Sequence, residues 1–217
     1  MMKDPALYDL SDPRVVRSLH KKALYLSVFT VAYNFLEGIV SMVAGAAAGS
    51  IALVGFGLDS FVESLSGGVM IWRFGGRGAL SEEEEERREA RAVKLVGYTF
   101  FVLGAYVAYE CLKKLILREP PEPSLIGIVI AVISLVVMPA LFYMKNRLGK
   151  SVGSKGLVAD SKQTLACCYL SLSLLVGLGL NYLYGIWWAD PAAGLVIVTF
   201  LFKEGLEAVR GEYEGCC

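Results

Sequence analysis

Residues 51–72 read IALVGFGLDSFVESLSGGVMIW, an apolar stretch interrupted near its middle by two carboxylates, Asp59 and Glu63. About 20 consecutive apolar residues are the length that a helix needs to cross the hydrocarbon core of a bilayer. A spacing of four residues places both carboxylates on one face of that helix. Because ionisable groups are costly inside a membrane, the stretch predicts a transmembrane helix whose acidic face has a function.

Five further apolar stretches are long enough to span a membrane. Hydrophobic residues make up 55% of the 217 residues and charged residues 19%, and the mean hydropathy is +0.54. So few charges cannot cover the surface of a soluble domain. We therefore predict an all-α polytopic membrane protein, a single transmembrane domain over 1–217 with six transmembrane helices. The five further stretches run from about residue 23 to 46, 93 to 112, 125 to 144, 156 to 182 and 187 to 206.

The basic residues between these stretches predict how the chain is oriented. They concentrate at the N-terminus, between the second and third stretches, and between the fourth and fifth, where Lys145 follows the predicted span. Basic connections stay in the cytoplasm, so both termini are expected there, as a segment of about residues 1–22 and a tail of about 208–217. The acidic run 82–86 is expected to open the third helix, either as a solvated helix start or as a collector of cations.

Charge, cysteine usage and motifs argue against several classes of protein. The formal net charge is zero, so no basic excess points to nucleic acid as a partner. The five cysteines, two of them the terminal Cys216 and Cys217, are odd in number and lie mostly in or beside apolar stretches. This usage is unlike a secreted disulfide framework. HExxH does not occur, and we expect no enzyme.

The fifth stretch carries a second polar face. Asp160, Gln163, Thr164 and Cys167 follow the i, i+3, i+4, i+7 pattern of one helix side. Oxygen and sulfur ligands from this helix and from Asp59 and Glu63 would suit Zn²⁺, which accepts carboxylates and thiolates in tetrahedral geometry. Gln163 is either a weak neutral ligand or a residue that positions another. Cys167 is either a ligand or a small buried packing residue.

Glu37 in the first stretch is a further intramembrane carboxylate. An unpaired carboxylate at that depth is expensive, so three roles stay open for it. It ligates the metal, carries a proton, or pairs with a lysine such as Lys162. Glu110 and Glu204 lie near the ends of their predicted spans, where we expect both to reach water.

Three segments together resemble the cation diffusion facilitator (cation efflux) family. Residues 49–64, GSIALVGFGLDSFVES, resemble its second helix, where a D-S-x-x-D type pattern holds two metal ligands. Residues 158–171, VADSKQTLACCYLS, are similar to its fifth helix with the pattern A-D-x-x-H-x-x-x-D. With Asp160 as the anchor, Gln163 stands at the family's His and Cys167 at its Asp. Residues 189–209 open with A-D-P like the family's sixth helix.

The resemblance implies export of a divalent metal from the cytoplasm in exchange for protons. Zn²⁺ leads, with Cd²⁺, Fe²⁺, Co²⁺ and Mn²⁺ open, and the transported metal is a substrate. The implied location is the plasma (inner) membrane. The family's cytoplasmic C-terminal domain is not seen, so a homodimer would form through the membrane helices. The alternatives are a proton-coupled small organic cation transporter and a non-transporting membrane metal-binding protein. The candidate ligands are Asp59, Glu63, Asp160, Gln163, Cys167 and Glu37.

Overall fold

The computed structural model describes residues 13–75, 82–119, 121–122 and 124–210. Within these ranges the chain forms helices and no strand, so the predicted all-α class is confirmed. Each predicted apolar stretch corresponds to its own helix, although residues 187 and 188 of the sixth lie in the turn before it, and the third helix begins at the acidic run, as predicted. Cys216 and Cys217 lie outside the described residues. The helices are α1 (Pro13–Ala48), α2 (Ile51–Gly75), α3 (Glu82–Leu117), α4 (Leu125–Val152), α5 (Lys155–Tyr184) and α6 (Ala189–Arg210).

Capping residues fix the ends of α4 and the start of α5. The Ser124 hydroxyl accepts a hydrogen bond from the Gly127 backbone N–H at 3.1 Å, which satisfies a free donor at the helix start. Gly153 ends α4 with a φ of 67°, a left-handed conformation that glycine adopts without steric cost. Ser154 then caps α5 through the Leu157 N–H at 3.3 Å. This tight turn makes α4 and α5 antiparallel neighbours.

Helices pack closely where glycines face a neighbouring backbone. A Cβ added at Gly57 of α2 would lie 2.9 Å from Met42 Cγ and 3.0 Å from the Gly38 carbonyl oxygen of α1. A Cβ at Gly149 of α4 would lie 2.8 Å from Val158 Cγ2 of α5. Small residues permit this approach in membrane bundles. Because α2 also contacts α3, α5 and α6, its acidic face lies inside the bundle.

Polarity is distributed as a lipid environment requires. Large apolar side chains are exposed on the outside, for example Phe29, Val102 and Val136, whereas many polar ones are buried. Hydrocarbon would cover this exterior, as it covers the lipid-facing surface of membrane bundles.

Three of the described helices are long and apolar enough to cross a membrane on those grounds alone: Arg17–Ala48, Leu125–Val152 and Gly156–Tyr184. The polar residues Asp59 and Glu63 lower the hydropathy of α2, and charged residues 203, 204, 207 and 210 lower that of α6. That all six helices cross therefore stays a prediction.

Candidate functional site

All six candidate ligands are buried, and they come from α1, α2 and α5. Their helices meet in the bundle, because α2 packs against both α1 and α5. Polar groups at such depth need partners, since no water or lipid group replaces them. The exposed fractions are 6% for Glu37 and Asp59, 1% for Glu63 and Cys167, 2% for Asp160 and 8% for Gln163.

A lysine lies at the centre of the first group of these residues. Lys145 of α4 is fully buried, and its Nζ lies 2.9 Å from Asp160 Oδ2 and 3.5 Å from Glu63 Oε1. It also donates a hydrogen bond of 2.8 Å to Thr164 Oγ1. The Thr164 hydroxyl in turn donates to Glu63 Oε1 at 2.5 Å. One ammonium thus joins α2, α4 and α5 through two carboxylates and a hydroxyl.

The placement of Lys145 in the loop between the fourth and fifth spans was wrong. The apolar run ends at residue 144, but α4 continues to Val152. The buried side of α4 includes Ser134, Met138, Leu141, Lys145 and Leu148. This spacing of three and four residues is that of one helix face, and it is the signal that could have found the lysine.

Glu37 forms the second group, in which hydroxyl groups rather than a lysine hold the carboxylate. Tyr33 donates to Glu37 Oε1 at 3.0 Å and Ser60 donates to Oε2 at 3.0 Å. Ser134 of α4 also donates to Oε1. Of the three roles left open for Glu37, pairing with Lys162 does not agree with the structure, because Lys162 is only half-buried and the described partners of Glu37 are hydroxyls. Among the described residues, the lysine that reaches the buried carboxylates is on α4.

Asp59 directly precedes Ser60 of the second group and lies four residues before Glu63 of the first. Its carboxylate is near the Cys167 thiol of α5 and near the carboxylates of Glu37, Glu63 and Glu204. Glu204 of α6 is only 8% exposed, so the expectation that it reaches water was wrong. The buried face of α6 carries it inward. Glu110 is partly exposed and pairs with Lys113 at 3.5 Å.

Some polar atoms in the site have no hydrogen-bond partner. They include Glu63 Oε2 and Gln163 Nε2. Asp160 Oδ1, by contrast, accepts a bond of 3.2 Å from the Ser66 hydroxyl. Buried polar atoms are normally paired, so the unpaired oxygen of Glu63 marks a position where a cation or a water molecule would be stabilised.

The candidate ligands do not close around a single point. Among the described residues, no three or more His, Cys, Asp or Glu side chains are grouped closely enough to hold a metal ion. Several of them are engaged by other partners: Lys145 contacts Glu63 and Asp160, and hydroxyls donate to Glu37. Coordination of a cation by both helices therefore requires these contacts to exchange.

Comparison with known proteins gives a family match and relatives that are named as transporters. Residues 86–213, more than half of the chain, match the cation efflux transmembrane domain family. Transmembrane protein 163 of Xenopus laevis is 22% identical over 196 residues, which cover 90% of this chain and 69% of that protein. Uncharacterized transporters of Synechocystis sp. and Methanocaldococcus jannaschii are each 25% identical, over 171 and 182 residues.

The similarity to these relatives covers more of the chain than residues 86–213, which match the family. The two transporters cover 77% and 81% of this chain, and the chain spans 55% and 63% of their own lengths, less than two thirds. The family match holds Lys145, Asp160 and Cys167, whereas Asp59 and Glu63 precede it. With an apolar exterior and buried carboxylates, the chain belongs to the cation efflux transmembrane domain family and is an integral membrane cation transporter.

Proposed function

We propose that the protein exports a divalent transition metal, foremost Zn²⁺, from the cytoplasm in exchange for protons. The observation that carries this proposal is the buried meeting of α2 and α5. There Asp59 lies near the Cys167 thiol, and Glu63 and Asp160 both contact the Lys145 ammonium. Carboxylates at this depth in a transporter mark the path of a cation.

The donor set suits a borderline-soft metal. Asp59 and Glu63 supply carboxylate oxygens, Cys167 supplies sulfur, and Asp160 and Gln163 supply further oxygens from the same side of α5. Zn²⁺ accepts both carboxylate and thiolate ligands. A thiolate favours Zn²⁺ and Cd²⁺ over the harder Mn²⁺, with Fe²⁺ and Co²⁺ between them.

Proton exchange follows from the same ligands. A carboxylic acid or a thiol must lose its proton before it binds metal, so protons and metal compete for one site. If that site opens alternately to each side of the membrane, inward proton flow drives outward metal flow. The four helices α1, α2, α4 and α5 carry the polar groups that surround Glu37 and Lys145, and they would line the path.

Glu37 contributes to this site through α1. Both of its oxygens accept hydroxyl hydrogen bonds, and Ser60, one of the donors, is the neighbour of Asp59. We assign Glu37 as a ligand whose carboxylate oxygen becomes available when the hydrogen bond from Ser60 or Ser134 breaks. The proposal further includes a homodimer through the membrane helices and a location in the plasma (inner) membrane.

A proton-coupled carrier of small organic cations is the second candidate. A primary ammonium, that of Lys145, already binds Glu63, Asp160 and Thr164. The same carboxylates would therefore accept the ammonium group of an organic substrate.

Flux into proteoliposomes separates these candidates. We would measure uptake of Zn²⁺, Cd²⁺, Fe²⁺ and Mn²⁺, and of a primary alkylamine, with and without a pH gradient. The variants are Asp59→Ala and, as the matched control, Glu110→Ala, which removes a partly exposed carboxylate on α3. Metal flux that needs Asp59 and responds to the gradient supports the proposal. Amine flux without metal flux supports the second candidate. If neither is transported but the purified protein still binds Zn²⁺, the protein is a non-transporting metal-binding protein.

A further inference from the structure

Lys145 is a cation that the chain itself places in the acidic site. Its side chain is fully buried, and its ammonium contacts two carboxylates that are proposed metal ligands. We propose that Lys145 is a tethered cation: it occupies the Glu63–Asp160 side of the site when no metal is bound, and an arriving metal displaces it. This inference rests on the proposed metal transport and assigns what regulates its site.

The charges make simultaneous occupancy unfavourable. Asp160 and Glu63 would repel each other in a medium of low dielectric if nothing lay between them, and the ammonium removes that repulsion. A divalent ion bound to the same carboxylates would repel the ammonium strongly for the same reason. Metal and Lys145 therefore compete for one pair of acidic groups.

The contacts also provide a route for the exchange. Glu63 Oε1 accepts from Thr164 and lies near the ammonium, whereas Oε2 has no hydrogen-bond partner. A metal can thus bind Oε2 before the ammonium leaves Oε1. Lysine has a flexible stem of four carbons and a head group that keeps its charge as it moves, so the displaced ammonium can reach another polar position.

This arrangement has a consequence for the transport cycle. Net export requires the metal-free site to turn back to the cytoplasmic side. Protons neutralise Asp59 on that return, whereas Glu63 and Asp160 would stay charged and costly to keep buried without a counter-ion. With Lys145 in place, the empty site carries its own counter-ion. Exchange of one metal for another does not include the empty return, so it does not need the lysine.

Two substitutions test the competition. Lys145→Met keeps an unbranched apolar stem without the charge, and Lys145→Arg keeps the charge. Lys150→Met is the control, because Lys150 is an exposed lysine on the same helix. We would measure Zn²⁺ affinity, net Zn²⁺ flux and Zn²⁺/Zn²⁺ exchange in proteoliposomes, after confirming a helical, monodisperse protein.

For Lys145→Met we expect the apparent KM for Zn²⁺ to fall about fivefold and net flux to fall about tenfold, with exchange within about twofold of wild type. Lys145→Arg should recover part of the net flux. Weaker affinity, or a parallel loss of net flux and exchange in folded protein, would overturn the inference. If the wild-type protein showed neither net Zn²⁺ flux nor Zn²⁺/Zn²⁺ exchange, the proposed metal transport itself would be overturned.

A measurement on the wild type covers the case in which Lys145→Met does not fold. A small amine-acylating reagent is applied with and without saturating Zn²⁺, and labelling at each lysine is read by mass spectrometry. Lys150 serves as the internal standard. If Zn²⁺ displaces the ammonium, labelling of Lys145 rises about threefold or more while that of Lys150 stays constant. Equal labelling of Lys145 in both states, under conditions where Zn²⁺ is bound, contradicts displacement.

Discussion

The carboxylate of Asp190, at the start of α6, accepts a hydrogen bond of 3.0 Å from the backbone N–H of Ile51, the first residue of α2. The Ser50 hydroxyl donates to the other oxygen of the same carboxylate. A side chain of one helix thereby caps another that is 139 residues away in sequence. This contact fixes the end of the helix that carries Asp59 and Glu63.

Removing that cap should destabilise the bundle. Asp190→Ala leaves the Ile51 N–H and the Ser50 hydroxyl buried without this acceptor, which should lower the free energy of unfolding by about 1–3 kcal/mol. Thermal unfolding in detergent, followed by circular dichroism, measures the change. Glu207→Ala, which removes an exposed i, i+4 pair with Lys203, should cost under about 1 kcal/mol. Equal losses for the two variants would contradict the capping role.

A glycine of α4 at its contact with α5 should be harder to replace than a glycine of α5 that has open space beside it. A Cβ at Gly149 would meet Val158 Cγ2 at 2.8 Å and the Val158 backbone nitrogen at 3.0 Å, whereas one at Gly179 meets nothing within 4 Å. Gly149→Ala should therefore destabilise by about 1–3 kcal/mol. Gly179→Ala should be neutral or stabilise by up to about 1 kcal/mol, because alanine favours helix. If Gly149→Ala stabilised the protein and Gly179→Ala destabilised it, α4 and α5 would not be closely packed at Gly149.

The sequence was sufficient for the helices but not for the partners of the polar groups. Spacing alone placed Asp59 and Glu63 on one face, since that follows from the helix period. Lys145 was missed because an apolar run shows where lipid contact ends and gives no information about where the helix ends. The partners of Glu37 were missed for another reason: Ser134 lies 97 residues away, and only the packing of α1 against α4 brings it close.

Removing the charge of Glu63 should weaken metal binding more than it weakens the fold. Glu63→Gln keeps the shape and leaves Lys145 paired with Asp160 at 2.9 Å. Loss of one charged ligand should raise the Kd for Zn²⁺ about tenfold or more. Competition with a fluorescent chelator measures the Kd, and Glu110→Gln is the control. An unchanged Kd in Glu63→Gln would remove this residue from the ligand set.

The hydroxyl that Ser134 supplies to Glu37 should matter for stability. In Ser134→Ala, Glu37 Oε1 keeps only the bond from Tyr33, at 3.0 Å. Loss of one buried hydrogen bond to a carboxylate should cost about 1.5–3 kcal/mol, measured as the shift in thermal unfolding. Ser171→Ala is a suitable control, because the Ser171 hydroxyl donates to the Cys167 carbonyl within its own helix at 2.8 Å. If both variants unfold at the same temperature, Ser134 holds Glu37 no more firmly than an ordinary intrahelical bond.

Metal preference should depend on the sulfur of Cys167. Its thiol lies near Asp59, so a thiolate there could share a metal with that carboxylate. Cys167→Asp replaces a soft ligand by a hard one at a similar position, and the ratio of Cd²⁺ to Mn²⁺ affinity should fall about tenfold. Binding of both metals should weaken as pH falls, because carboxylates and thiol must each lose a proton to coordinate. Cys168→Ala, which changes the adjacent buried cysteine, is the control and should leave the ratio unchanged. A ratio that shifts equally in both variants would mean that packing at this turn of α5, and not ligand softness, sets the preference.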